Sequence, residues 1–424
     1  MRRDAHARRG AAALLGAITA AAALAGCGGG DASGSSADGA LEFAQWWEPE
    51  LPDGAFQKLI DEFEKESGAE VKLLSGPYDS TKEQVVAGAA TGTIPCVVGL
   101  DGAWVNDLAK QGAITDLSAL MADNDYDDSQ LASQIQVDDK TYMIPVVNFV
   151  YPLFTNDDLL SQAGVSAPPT NRTEFADAAQ KITDQGDASG WVLPLSLESP
   201  NGIQNDVMSW VWASGGSMLS DGQPDLTNAD VSSAIEYVKG LWDAGVIAPG
   251  SFTMQEQDKV EEFTNGRVGM MIDSLAHVNL IRENNPDLNL SISAIPAEDG
   301  YSGERGIPYA SWGIGIADSC EDKETAWKLV EFLMSKDTNA KLSSIAFAFP
   351  GNTESVPDFV ADDELFKAAF DIYKSGYPAN EFTGLPVAEE LMRTFDEEFQ
   401  RMLSGEESVG DMLEKAQETW TGEF

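Results

Sequence analysis

With 424 residues the chain is long enough for two domains, and 43% hydrophobic content with 10 Trp and 18 Phe supplies a packed core and excludes disorder for most of it. A formal net charge of −44 repels nucleic acid and anionic headgroups, so no nucleic-acid partner is expected. Two histidines argue against a His-based metal or acid–base centre, and neither cofactor nor metal is expected.

Residues 1–26 read as an export leader. Arg2, Arg3, Arg8 and Arg9 form a basic head, and Ala11–Ala25 an apolar stretch too short to span a membrane comfortably. The leader closes on Leu24-Ala25-Gly26-Cys27, which looks like a lipobox: cleavage falls before Cys27, and its thiol carries a diacylglycerol. The plainer alternative is an ordinary signal peptide with a chance cysteine. Arg8-Arg9 also admits twin-arginine export. Losing the leader removes four arginines and one aspartate, which leaves 22 basic residues against 69 acidic. Residues 27–40, rich in Gly, Ser and Asp, have nothing to bury and read as a flexible tether.

Leu41–Gln45 is predicted as the first strand, with Trp46-Trp47-Glu48-Pro49 as the loop at its end. In Phe56–Glu66, residues Phe56, Leu59, Ile60 and Phe63 share one helix face; Gly68 closes the helix, and Val71–Leu74 is a second strand. Strand, loop, helix, strand in that order makes a parallel βαβ unit and an α/β fold. Trp46, Trp47 and Glu48 fall at the mouth of the first strand, where open α/β sheets meet ligands. Two adjacent indoles cannot both point inward, so one belongs to the core.

Ala87–Ala90 end a small-residue helix, Thr91-Gly92-Thr93 breaks it, and Pro95 opens the next element. Cys96–Leu100 then reads as a strand buried on both faces, with Asp101 and Trp104 at its carboxyl end. A carboxylate that accepts O–H bonds beside an indole that packs on C–H groups suits a hydroxyl-rich ring. A helix cap at Asp101 and a core Trp104 is the bland alternative. The whole stretch 92–118, GTIPCVVGLDGAWVNDLAKQGAITDLS, resembles the GT-x-PDVV-x-x-D-x-x-W segment of the extracellular solute-binding proteins that serve carbohydrate ABC transporters, maltodextrin-binding proteins among them. Cys96 stands where that family has Asp.

The resemblance recurs in order along the chain. It covers the opening helix with its E-F-E-K-x-S-G ending, and Asp138–Asp158, where Asn156-Asp157-Asp158 replaces the family's YNKD. It continues through Gly164–Thr183 with Pro168-Pro169 and a predicted helix Glu174–Ile182 capped by Thr173, then through Phe263–His277, Leu290–Ile316 and the Phe347–Gly351 loop. Helices over Asp363–Lys374, Val387–Leu403 and Val409–Thr421 close the chain. It implies a two-lobed fold of the type II periplasmic-binding-protein kind, each lobe a sheet flanked by helices, with several chain crossings as a hinge. Lobe one would take 41–148 and 300–355, lobe two 149–299 and 356–424, with the ligand cleft between.

The same resemblance places candidate ligand-binding residues. Asn148 and Tyr151 lie on the first crossing, Asn148 binding either ligand or hinge backbone. Val192–Gly216 enters a strand and then an aromatic helix, of which Trp210 or Trp212 would line the cleft and the other join the core. Val268–Ile272 is a buried strand that opens onto Asp273, Ser274 and His277; His277 or Ala276 stands where the family often places a sugar-stacking Trp. Trp312, Phe349 (core being the plainer reading for it) and Glu381 complete the set. In the fold so implied, Cys96 and Cys320 end neighbouring antiparallel strands, and a disulfide between them is an open expectation.

The function implied is a monomeric, lipid-anchored receptor of an ABC importer on the outer face of the cell membrane, binding a carbohydrate and handing it to the permease. It would not be an enzyme, for no G-x-S-x-G or H-E-x-x-H pattern is present. A receptor for a cationic or phosphodiester solute, an exported glycosidase and a purely structural lipoprotein are the rival readings.

Overall fold

The computed structural model describes residues 39–358 and 363–424; the leader, Cys27 and the tether up to residue 38 lie outside the described residues. Extended segments alternate with amphipathic helices through most of the chain. In chain order the strands are β1 (Leu41–Gln45), β2 (Val71–Ser75), β3 (Val97–Leu100), β4 (Ile135–Val137), β5 (Lys140–Val150), β6 (Leu153–Asn156) and β7 (Ser189–Trp191). They continue with β8 (Leu219–Ser220), β9 (Gln223–Pro224), β10 (Val268–Ile272), β11 (Leu290–Ser293), β12 (Arg305–Ile316), β13 (Phe349–Pro350) and β14 (Gly376–Ala379).

The larger sheet runs β13-β5-β12-β3-β1-β2, with β4 paired to β5 and β14 to β12. Its first three strands are parallel: Leu41 faces Val71, and Phe43 faces Val97. The helix Ala55–Ser67 makes the first crossover and buries Phe56, Leu59, Ile60 and Phe63, the stripe its period predicts. Every residue of β3, an apolar run paired on both edges by β1 and β12, is buried. The smaller sheet runs β11-β6-β10-β7, with β10 buried along its whole length and Met270 and Met271 within the core. Only Tyr151 and Pro152 separate β5, in the larger sheet, from β6, in the smaller.

Antiparallel pairing of β12 with β3 sets Ile316 opposite Val97. That register brings Cys96 and Cys320 together at the end of the two strands, bonded, with Cα atoms 4.7 Å apart. Within β12 the pairing with β5 slips between Trp312 and Gly313. Such a bulge re-aims a side chain. A Cβ at residue 313 would run into the Met143 side chain, which packs against the bare backbone there.

Two local expectations are corrected. The helix Arg172–Thr183 is capped by Asn171, which accepts from the Glu174 amide at 2.9 Å, rather than by Thr173. Glu174 clasps Thr170 in return, from both its amide and its hydroxyl at 2.8 Å, and Thr173 turns outward to Asp299. After β7 no strand continues past Trp191. Pro194 removes a ladder donor there, and the chain enters a wide turn at Ile203–Val207 before the short helix Ser209–Trp212. The three terminal helices lie at Glu364–Lys374, Ala388–Leu403 and Val409–Glu423, within a residue or two of their predicted ends. Among the described residues no helix is long and apolar enough to cross a membrane.

Candidate ligand-binding cleft

A cavity of about 270 Å³ opens where the carboxyl ends of β1, β3 and β5 face elements that flank the smaller sheet. From the larger sheet come Trp46, Glu50, Tyr78, Asp79, Asp101, Phe149, Tyr151 and Trp312. Asn201, Asn205, Glu256, Gln257, Ser274 and His277 close the other side. That position, outside the carboxyl ends of sheet strands, is the general one for ligands in open α/β folds.

The aromatic walls are locked from behind. Trp46 lies 5.2 Å from Tyr78 and 5.5 Å from Trp104, centroid to centroid. A Cβ at Gly99 would press on the Trp46 ring at 3.2 Å, so glycine in β3 is what lets the indole lie across the strand. Trp312, turned by the bulge, stacks on Trp47 at 5.6 Å with planes 6° apart, and Phe149 meets it edge-on at 4.9 Å. Trp47 is therefore the core indole of the adjacent pair, and Trp46 the one that reaches the cavity.

Charge in the cavity is concentrated and shielded from water. His277 Nδ1 lies 2.8 Å from Asp273, and His277 Nε2 is 4.0 Å from Glu50 across the cavity. Burial works against a charged imidazole, yet the Asp273 carboxylate outweighs it and raises His277 to about 10. Burial likewise dominates Glu50, whose carboxyl rises to about 8 although His277 pulls the other way. Behind this layer Lys259 Nζ sits 3.3 Å from Asp206, 3.2 Å from Asp273 and 2.9 Å from the Ile272 carbonyl, all buried. Its ammonium is held above the ordinary lysine range because those acids outweigh its desolvation. Glu256, Asp273 and His277 bring possible metal ligands within 4.8 Å of one another. Lys259 already supplies the positive charge there, and His277 spends one nitrogen on Asp273, so the trio belongs to an ion-pair network.

Of the residues the sequence nominates, Trp46, Asp101, Tyr151, Ser274, Ala276, His277 and Trp312 line this cavity. One oxygen of Asp101 caps the helix Gly102–Lys110 at the Ala103 amide, 2.9 Å, as its plainer alternative expects, and the other accepts from Tyr78 Oη at 3.2 Å. The remaining nominees lie outside the lining. Glu48 accepts from the Ser75 hydroxyl, Trp104 donates to Glu389 at 3.2 Å, and Asn148 accepts from Ser311, itself a lining residue, at 2.7 Å. Trp210 is core, edge-on to Phe175, Trp191 and Tyr237. Trp212 donates to Glu381 at 2.8 Å, and Glu381 also takes the Met218 amide, so both are spent on one another's segments. Asp273 is fully buried behind His277, and Phe349 packs on Tyr373 at 4.4 Å.

Sequence reasoning missed Glu50, Tyr78, Asp79, Asn201, Asn205, Glu256 and Gln257. Tyr78 and Asp79 open the helix that comes after β2, so the strand-end rule that found Asp101 would also have found them. Glu50 stands two residues from Glu48 in the same turn. No periodic signal marks Asn201 or Glu256.

The profile of the bacterial extracellular solute-binding proteins matches residues 48–340. The chain belongs to that family. A binding protein of Brucella abortus is 27% identical to this solute-binding protein over 371 residues, covering 86% of it and 84% of the relative. The galactooligosaccharide-binding protein of Bacillus subtilis is 23% identical over 415 residues, covering 95% and 94%. Among solved structures, an ABC transporter solute-binding protein of Thermotoga lettingae bound with α-D-tagatose superposes with a TM-score of 0.77 at 21% identity, over 90% of this chain and 97% of that one. The fold is thus the two-lobed one of periplasmic binding proteins, with a sheet in each lobe.

Proposed function

We propose that this solute-binding protein is the receptor of an ABC importer and captures a sugar or short oligosaccharide by closing its lobes, then delivers it to the permease. The observation that carries the reading is the cavity lining: Trp46 and Trp312 offer ring faces while Glu50, Asp101, Glu256 and Asn201 offer acceptors, the pairing that holds a hydroxyl-rich ring. Neither lysine nor arginine lines it, and His277, the basic group that does, is paired with Asp273 at 2.8 Å, which leaves a phosphodiester without a free counter-charge. Its family is one of binding proteins, and capture needs no catalytic group. The lobes are taken as 41–148 with 300–355 and 149–299 with 356–424, β14 reaching back to β12 from the second of them.

A thermal-shift screen over mono- and oligosaccharides tests the reading. A ligand at about a hundredfold excess over its Kd adds about 2.7 kcal/mol, which for a chain of this size raises the melting point by about 3 °C. Trp emission should change with it. Release of smaller sugars by the purified protein, or no shift with any carbohydrate, would overturn the reading.

Anchoring through acylated Cys27 is part of the same proposal, with the tether holding the folded body off an extracytoplasmic membrane face. Cys27→Ser should move the protein from the membrane fraction to the medium or periplasm. Retention in membranes would show that something other than Cys27 holds it.

A further inference from the structure

The cavity's charges are unevenly placed. Glu50, Asp79, Asp101 and Glu256 line it against a single basic group, His277, which is committed to Asp273 at 2.8 Å and faces Glu50. Another part of the wall has no base of its own. There Tyr78 packs on Trp46, its hydroxyl reaches Asp101 Oδ2 at 3.2 Å, and the Asn201 side chain meets the same hydroxyl. The charged groups that face Asp101 from neighbouring elements are Glu389, a further acid, and Lys82, which is paired with Glu389. Asn201 is 4% exposed, lines the cavity, and its Oδ1 has no hydrogen-bond partner among the described residues. A buried acceptor without a donor is costly unless something fills it. Ring faces, two carboxylates and a waiting carbonyl oxygen with no fixed cation among them are the features that bind an ammonium group.

We propose that the wall formed by Trp46, Tyr78, Asp79, Asp101 and Asn201 takes a protonated amine, so that the solute is an amino sugar, a polyhydroxylated ring bearing a basic nitrogen. This rests on the sugar-receptor reading and narrows it. A hydroxyl would satisfy Asn201 but leave Asp79 and Asp101 with no cation on their own wall. Burial, and then Glu389, outweigh the Ala103 amide and push the Asp101 carboxyl up to about 6, a rise that a cationic guest would reverse.

Calorimetric titration of the mature protein at pH 7 decides it. The probes are D-glucosamine, D-galactosamine and the β-1,4 glucosamine dimer, each set against its parent sugar and its N-acetyl form. The expected result is that at least one amine binds about tenfold or more tighter than both uncharged counterparts. That preference should shrink to about threefold or less in Asp101→Asn, a substitution that keeps the helix cap. It should shrink likewise at pH 5, where Asp101 is protonated. Asp79→Asn on the same wall serves as the second variant should Asp101→Asn melt abnormally. Neutral sugars binding as tightly as the amines would overturn the inference and leave the receptor reading standing. A tenfold preference that survives both variants would overturn the assigned wall. Failure of every probe, charged or not, would count against both readings.

Discussion

Lys259→Met is expected to destabilise the protein by about 3–5 kcal/mol, because it strips Asp206 of its cation and leaves Asp273 with His277 alone, where neither carboxylate has water to turn to. Methionine fills nearly the same volume, so the loss is electrostatic rather than a cavity. Against a total stability of about 5–15 kcal/mol this is a large fraction, and the melting temperature should fall by about 5 °C. The pH dependence identifies the cause. With the lysine present, burial already lifts Asp206 to about 7. Without it the carboxyl must rise further, so the folded variant takes up a proton at a pH where the unfolded chain, with an ordinary aspartate near 3.8, does not. A group raised in this way loses stability as pH climbs through its folded value. The deficit should therefore narrow from pH 8 to pH 5 and partly close when Asp206→Asn is added. A deficit that ignores pH would locate the damage in packing instead.

Breaking the Cys96–Cys320 bond is expected to cost a similar amount. The bridge ties residues 224 apart in sequence, and the chain-entropy model gives about 5 kcal/mol for a loop of that length, or about 6 °C in melting temperature. The double variant Cys96→Ser/Cys320→Ser and the native protein in reductant should melt together, both below the oxidised form. Ligand affinity should hardly change, since the bridge closes the amino end of β3 while the cavity lies beyond its carboxyl end at Asp101. Equal melting with and without reductant would mean that the denatured chain gains little freedom from the cut.

How much of the fold and the cleft was legible in the residues depended on period. β1, β3 and β10 and the helices at Ala55–Ser67 and Ala388–Leu403 were readable because an apolar stripe of period two or 3.6, or an unbroken apolar run, leaves few alternatives. Asp101 was readable because the carboxyl end of a buried parallel strand delivers the next residue to the ligand side of the sheet. Trp210 and Trp212 were not, since a four-residue helix has no period and the wide turn before it sets its phase. Glu381 looked like a free acid in a loop, and only the fold shows Trp212 and the Met218 amide claiming it. Asn201 and Glu256 enter the cavity from segments whose approach depends on tertiary packing alone, which no local pattern encodes.

Tyr151 belongs to two things at once. It lines the cavity, and with Pro152 it forms the whole of the first crossing from the larger sheet to the smaller. A guest that presses on its ring therefore touches the torsions that set how the halves lie to one another, with no intervening relay of side chains. Sensing and movement would then share one joint, and lengthening that joint by even one residue would give occupancy without transmission.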